Sequence, residues 1–229
     1  MRKTIVIVGA SRGIGKELVK ILSQDENNSI VALARNTASL AEFNHLANVE
    51  IHAFDLNTDT VRTSAETIFQ HVSNIDILIN NAGKLVNKPF LELSKEDLEE
   101  SYQVNVIGVM ETVQAAIPKM LEIGGHIVNI SSMGGFQGTV KFAGLAAYST
   151  SKAAVASFTE LLAEEYKDTK IKVNCLCLGS AQTEMLEEAF PGFQAPVSAN
   201  QMAVYIADFS LNAHQWMHGR IIPVSLTTP

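Results

Sequence analysis

Short apolar runs of strand length alternate along this chain with longer stretches whose apolar residues recur at helical spacing. Lys3–Val8 reads as a buried strand. Ile14–Ser23 follows it with Ile14, Leu18, Val19, Ile21 and Leu22 on one side, as in a helix packed on a sheet. The same alternation gives strands at Ser29–Ala34, Val49–Phe54, Ile75–Asn80, His126–Ile130, Lys170–Leu176 and Arg220–Ser225. Helices are expected at Thr37–Leu46, Asp59–Val72, Ser94–Ile123 and Leu145–Tyr166. Ser94 with Asp97 forms a capping-box pattern, and Gly124-Gly125 ends that long helical stretch. Regular βαβ alternation implies an α/β fold: one Rossmann-like domain, a doubly wound parallel sheet of about seven strands with helices on both faces. Pro223 places the last strand at an edge. The least regular stretches, 131–144 and 179–198, follow carboxyl ends of strands, where such sheets bind ligands.

Composition narrows the picture. With 47% hydrophobic and 18% charged residues among 229, the chain can bury a large core. A net charge of −7 disfavours nucleic acid and anionic membrane surfaces as partners. Cys175 and Cys177, one residue apart, would share a strand face and make a poor disulfide, which fits a reducing, cytoplasmic setting. The N-terminal apolar run, Thr4–Val8, is too short for a signal-peptide core, and no stretch has the length to span a membrane. His214 and His218 lack a third ligand nearby and read as surface residues, so no metal is expected. His126 reads as packed or hydrogen-bonded, Trp216 as an anchor of the final crossing, and Met110, Met120 and Met133 as core or pocket wall.

Candidate chemistry begins at the first strand–helix turn, Gly9-Ala10-Ser11-Arg12-Gly13-Ile14-Gly15. Glycines there let the backbone approach a pyrophosphate, and the helix N-terminus offers unpaired N–H groups. The second strand ends without the carboxylate that would hold ribose hydroxyls. It offers Arg35 instead, and the loop offers Arg12; a guanidinium grips a 2′-phosphate with paired hydrogen bonds. The expected cofactor is therefore NADP(H) in preference to NAD(H). Tyr148 and Lys152 are four apart on a helix and share a face. One positive charge at roughly 4 Å in an effective dielectric of about 20 is worth about 4 kcal/mol. That is about three pKa units off a phenol, an upper estimate because desolvation opposes it.

Together with Asp55-Leu56, Asn80-Asn81-Ala82-Gly83, Asn105, Ser131-Ser132 and Tyr148…Lys152, the glycine loop resembles that of the short-chain dehydrogenases/reductases, in the right order from about Lys3 to Thr183. The resemblance implies an Asn-Ser-Tyr-Lys tetrad at Asn105, Ser132, Tyr148 and Lys152. Tyr148 would exchange a proton with a carbonyl or alcohol oxygen that Ser132 positions. Lys152 would lower the tyrosine pKa and bind the nicotinamide ribose. Asn105 would hold a water of a proton relay. It further implies that Gly9, Ser11, Arg12, Gly13, Ile14 and Gly15 bind the dinucleotide with Arg35. Asp55 and Leu56 would meet the adenine, Asn81, Ala82 and Gly83 the adenine ribose, and Gly179, Ala181 and Thr183 the nicotinamide. Residue by residue, other readings stand beside these. Asn105 could bond neighbouring backbone, Asp55 could cap the next segment, and Ser131 competes with Ser132, which the Ser-Ser-x-x-Gly pattern favours.

Four departures from the family pattern carry expectations. Val8 replaces a threonine, with an effect on the turn. Leu178 replaces a proline, which predicts a looser nicotinamide-side loop. The segment between Ser132 and Tyr148 is lengthened around Lys141 and Phe142, reshaping the entrance. The tail after Gly219 lacks the Asp-Gly-Gly end that helps many relatives form tetramers, so a homodimer is the expected assembly, with a homotetramer as the alternative. A short lid around 184–199, carrying Phe190, Pro191, Phe193 and Pro196, suits a small or flat apolar carbonyl or alcohol. The alternative function is a nucleotide-binding redox sensor or scaffold without turnover. A sugar-nucleotide epimerase would need a larger carboxyl-terminal region.

Overall fold

A computed structural model describes residues 2–226. Its chain runs β1 (Lys3–Val8), α1 (Gly13–Leu22), β2 (Asn28–Ala34), β3 (Val49–Ala53), α2 (Val61–Phe69), β4 (Ile77–Asn80), α3 (Lys95–Tyr102), α4 (Gly108–Ala116), β5 (Gly125–Ser132), α5 (Ala146–Glu165) and β6 (Ile171–Leu178). It continues through β7 (Ala181–Gln182), α6 (Glu184–Ala189), β8 (Val197–Ser198), α7 (Ala199–Asn212) and β9 (Arg220–Val224). Seven strands form one sheet in the order β3-β2-β1-β4-β5-β6-β9, every neighbouring pair parallel. This is the single-domain Rossmann-like architecture that the alternation predicts.

The strands read as continuous apolar runs because both faces are covered. In β1, Ile5 and Ile7 enter the core beneath α1 and α7, while Val6 and Val8 enter the core beneath α2, α4 and α5. β2 divides the same way, Ile30, Ala32 and Ala34 against Val31 and Leu33. After β3 the chain crosses back to lay β4 beside β1, so connections leave these two strands in opposite directions. The crevice that results is where a doubly wound sheet takes its ligand.

Several elements differ from expectation. The stretch 94–123 is not one helix. α3 passes through a π-helical turn at Gln103–Ile107 into α4, and a 3-10 turn at Ile117–Lys119 follows. The capping box that begins it is present, with the Asp97 amide donating to Ser94 Oγ at 3.1 Å and the Ser94 amide to Asp97 Oδ2 at 3.0 Å. Thr37–Leu46 supplies only a 3-10 segment, Ala38–Phe43. α7 is a full helix without a counterpart in the sequence reading, and it packs against α1. β9 is the sheet edge that Pro223 requires.

At the amino ends of β5 and β6, His126 is buried between Ser210 O (Nδ1, 2.9 Å) and Asn174 Nδ2 (Nε2, 3.0 Å). His218 is not a bare surface residue. Its Nδ1 accepts from the Val173 amide at 3.1 Å and its Nε2 lies 2.9 Å from Ala163 O. His214 is likewise half-buried, its ring tilted against His126. Trp216 is not an anchor among the described residues: it is 83% exposed, on the far side of the 3-10 turn at Ala213–Gln215, while Ala213 takes the core position. Met120 and Met133 are buried and Met110 is half-buried.

Candidate active site

The crevice beyond β1, β4, β5 and β6 encloses about 810 Å³. Gly9, Ser11, Arg12, Gly13, Ile14, Arg35, Asp55, Leu56, Asn81, Ala82, Gly83, Ser132, Tyr148, Lys152, Gly179, Ala181 and Thr183 all line it. Gly15 and Asn105 lie behind its wall. Gly15 packs under the loop so closely that a Cβ would stand 2.0 Å from Gly9 O. Gly9 has φ 84° and abuts Ala82, whose Cα a Cβ would approach to 2.6 Å. Asn81 fastens the same loop, Nδ2 to Gly9 O at 3.0 Å and its amide to Val8 O at 3.1 Å. The first turn of α1 has no side-chain cap and no acidic residue. Its N–H groups and the positive end of its dipole are thus left for an anion, as a dinucleotide pyrophosphate requires.

Charge along the nucleotide side is mixed. Arg35 is exposed just past β2 and has no ion-pair partner among the described residues. Arg12 is engaged: Nη1 and Nη2 donate to the two oxygens of Glu188 on α6. Asp55 accepts from the Asn57 amide at 3.0 Å, which makes one of its oxygens a turn cap.

On the reacting side, α5 sets Tyr148 and Lys152 one turn apart beneath the end of β5. Ser132 and Tyr148 both line the crevice, and Ser132 Oγ accepts from the Gly134 amide at 3.2 Å. Ser131 is turned away, its hydroxyl donating to Lys152 O at 2.7 Å, so the serine pair separates as the motif suggested. Lys152 is buried. Its Nζ donates to Ile130 O at 2.8 Å and stands 5.9 Å from the centre of the Tyr148 ring.

One expectation about this group needs correction, and a second is narrowed. Burial raises the Tyr148 pKa instead of leaving it lowered, and the Ser132 hydroxyl only partly opposes that rise. Desolvation is the larger effect. Burial also pulls Lys152 down to about 8, with the thiols of Cys175 and Cys177 acting weakly in the other direction. Asn105, in the π-helical turn, has its side chain committed elsewhere. Oδ1 accepts from the Lys84 amide at 2.7 Å, and Nδ2 reaches Lys84 O and Ser151 Oγ, each at 2.9 Å. The alternative weighed for it, bonding to backbone, describes its side chain.

The loops differ from expectation as well. Leu178 loosens nothing: it extends β6 opposite Val224, and the Gly179 amide donates to Val224 O at 2.8 Å. The lengthened entrance segment is gathered by Lys141, whose Nζ donates to Gly134 O and Phe136 O at 3.0 and 2.6 Å. Asn87, Glu188, Met185 and Leu186 escaped the sequence reading. Asn87 Nδ2 donates to Ala189 O at 2.9 Å, joining the loop after β4 to the lid. Thr183 ahead of Glu184 was the legible signal for α6, and its hydroxyl caps that helix by accepting from the Leu186 amide at 3.3 Å.

The match to a known family follows from this geometry. Residues 3–192 match the family model for short chain dehydrogenase. The chain is 34% identical over 190 residues to the 3-oxoacyl-(acyl-carrier-protein) reductase FabG of Aquifex aeolicus, covering 80% of this chain and 75% of that one. It is 35% identical over 192 residues to carbonyl reductase family member 4 of Danio rerio, covering 81% and 78%. A short chain dehydrogenase from Burkholderia cenocepacia, solved in complex with NADP, superposes with TM-score 0.86 at 26% identity over 98% and 97% of the two chains. The protein belongs to the short-chain dehydrogenase/reductase family and is an oxidoreductase of that family. Nothing in these likenesses favours a sensor or scaffold without turnover.

Proposed function

We propose that the protein is an NADP(H)-dependent carbonyl reductase or alcohol dehydrogenase in which Tyr148 is the acid/base. The observation that carries this reading is the meeting of Ser132, Tyr148 and Lys152 in one crevice with the glycine loop, Tyr148 and Lys152 one turn apart on α5. A bound nicotinamide supplies or accepts the hydride. The chain's own residues do the rest. Ser132 and Tyr148 hold the substrate oxygen between two hydroxyls, and Tyr148 gives that oxygen its proton as negative charge develops there. A phenol whose pKa is raised by burial stays protonated at neutral pH, which suits the direction of reduction. Lys152, still mostly cationic at neutral pH, stabilises the phenolate left behind and meets the ribose of the cofactor. Asn105 fixes the π-helical turn and the Lys84 loop that wall this corner, and its main chain is the remaining route to a relay water.

The 2′-phosphate of NADP(H) falls to Arg35 and Arg12. In support, β2 ends without a carboxylate, and NADP and NADPH complexes occur among the solved structures the chain resembles, although an NADH complex does too. Asp55 and Leu56 border the adenine, Asn81, Ala82 and Gly83 its ribose, and Gly179, Ala181 and Thr183 the nicotinamide. Met133, Phe142, Leu145, Phe190 and Phe193 give the remaining wall an apolar character that fits a small or flat apolar substrate. A cytoplasmic homodimer, with a tetramer as the alternative, completes the reading. It rests on the family resemblance, the altered tail and the two free buried thiols. Tyr148→Phe should abolish NADPH-driven reduction of a ketone panel while leaving NADPH binding intact. Near-normal turnover would remove Tyr148 from the role.

A further inference from the structure

Glu184 and Glu188 lie one turn apart on α6, and both act on Arg12 from across the crevice. Glu188 takes the end-on edge of the guanidinium, with Nη2 donating to Oε2 at 3.0 Å and Nη1 to Oε1. Glu184 adds to the negative field on the same group. The loop and lid already touch here, since a Cβ on Gly13 would come within 3.2 Å of Thr183 and 3.3 Å of Glu184. The lid does not need the pair to hold its shape. The Gly192 amide donates to Glu187 Oε1 at 2.9 Å and the Ala195 amide to Gln182 Oε1 at 2.8 Å. Both side chains of the pair are open to solvent, at 44% and 62% exposure. The Arg12–Glu188 contact is therefore free to exchange.

We infer that Glu188 is a residue that sets cofactor selectivity, competing with the 2′-phosphate of the dinucleotide for Arg12. The inference rests on the proposed assignment of Arg12 to that phosphate. A carboxylate and a phosphate oxygen pair want the same paired donors of a guanidinium. Entry of the phosphorylated cofactor must break the bond to Glu188, and the freed carboxylate then stands, with Glu184, near an incoming anion. A cofactor without the phosphate leaves the pair in place. The same exchange links cofactor type to the lid, because the pair fastens α6 to the loop after β1, as Asn87 to Ala189 fastens it to the loop after β4. Exposed ion pairs alter an equilibrium by a factor of about two to five.

The experiment measures dissociation constants for NADPH and NADH, by quenching of protein fluorescence or by calorimetry. It compares the unaltered protein with Glu188→Gln, Arg12→Met and the double variant. Glu188→Gln should tighten NADPH about two- to fivefold and leave NADH unchanged, and this gain should vanish in the Arg12→Met background. Equal tightening of both cofactors would show a general charge effect, and no change in either would show no competition; both results overturn the inference. Arg12→Met alone tests the underlying assignment. If it leaves the NADPH:NADH ratio as it was, Arg12 does not contact the phosphate and the assignment fails. If it lowers the ratio while Glu188→Gln does nothing, only the competition by Glu188 is refuted.

Discussion

Lys152 Nζ donates to the carbonyl oxygen of Ile130 at 2.8 Å while standing 5.9 Å from the centre of the Tyr148 ring, so a buried ammonium is fastened to β5 beside the phenol. Burial is the larger influence on the pKa of Tyr148. It also puts a titration close to neutrality at the base of the site.

Turnover should follow that titration. Burial holds Lys152 at about 8, so its ammonium is lost above that pH. We expect kcat/KM for carbonyl reduction to be level near neutrality and to fall above about pH 8, measured with saturating NADPH. A profile flat to about pH 10 would detach Lys152 from the chemistry. Stability should move oppositely for this group. Its folded value lies below the unfolded 10.5, so between the two the unfolded chain holds more protons, and the group's contribution rises with pH across that window.

His126 should make the fold acid-sensitive. Burial lowers it from 6.5 to about 4, so at neutral pH the ring is uncharged, with Nδ1–H donating to Ser210 O and Nε2 accepting from Asn174. Its contribution is complete above 6.5 and is lost as pH falls toward 4, by about 3 kcal/mol at ~1.36 kcal/mol per unit. Urea unfolding at neutral pH and at about pH 4.5 should show that loss. His126→Asn, lacking the titration, should show a smaller drop between the two conditions than the unaltered protein; an equal drop would refute the assignment.

Arg35→Asp should move cofactor preference from NADPH toward NADH by about tenfold or more, through loss of a charge-assisted contact and gain of a carboxylate for ribose hydroxyls. The ratio of kcat/KM values with the two cofactors reads it directly, and an unchanged ratio would count against Arg35 as a phosphate contact.

Asn105→Ala should cost stability before chemistry. It removes three hydrogen bonds between the π-helical turn, Lys84 and Ser151 and leaves buried partners unmet, a loss of about 2–4 kcal/mol. Chemical denaturation measures this. If stability is unchanged while turnover falls a hundredfold, a role in the proton relay outweighs the structural one.

The chain's local patterns were enough for much of this molecule. Continuous apolar strands require a sheet covered on both faces, and Gly9 and Gly15 sit where a side chain would collide with backbone. The i,i+4 spacing of Tyr148 and Lys152 already put them on one helix face. Even α7 was signalled, by Ser198 three residues before Gln201 and by the apolar positions from Met202 to Phe209, although the reading passed over it. What no local pattern could supply was the pairing of groups far apart in the chain: Lys152 with Ile130, Asn105 with Lys84, Arg12 with Glu188, Asn87 with Ala189. Burial and partner together set charge and pKa, and both depend on which surfaces the packed helices bring within hydrogen-bond reach. Spacing therefore determined which residues could take part, and tertiary packing decided which of them meet and in what protonation state.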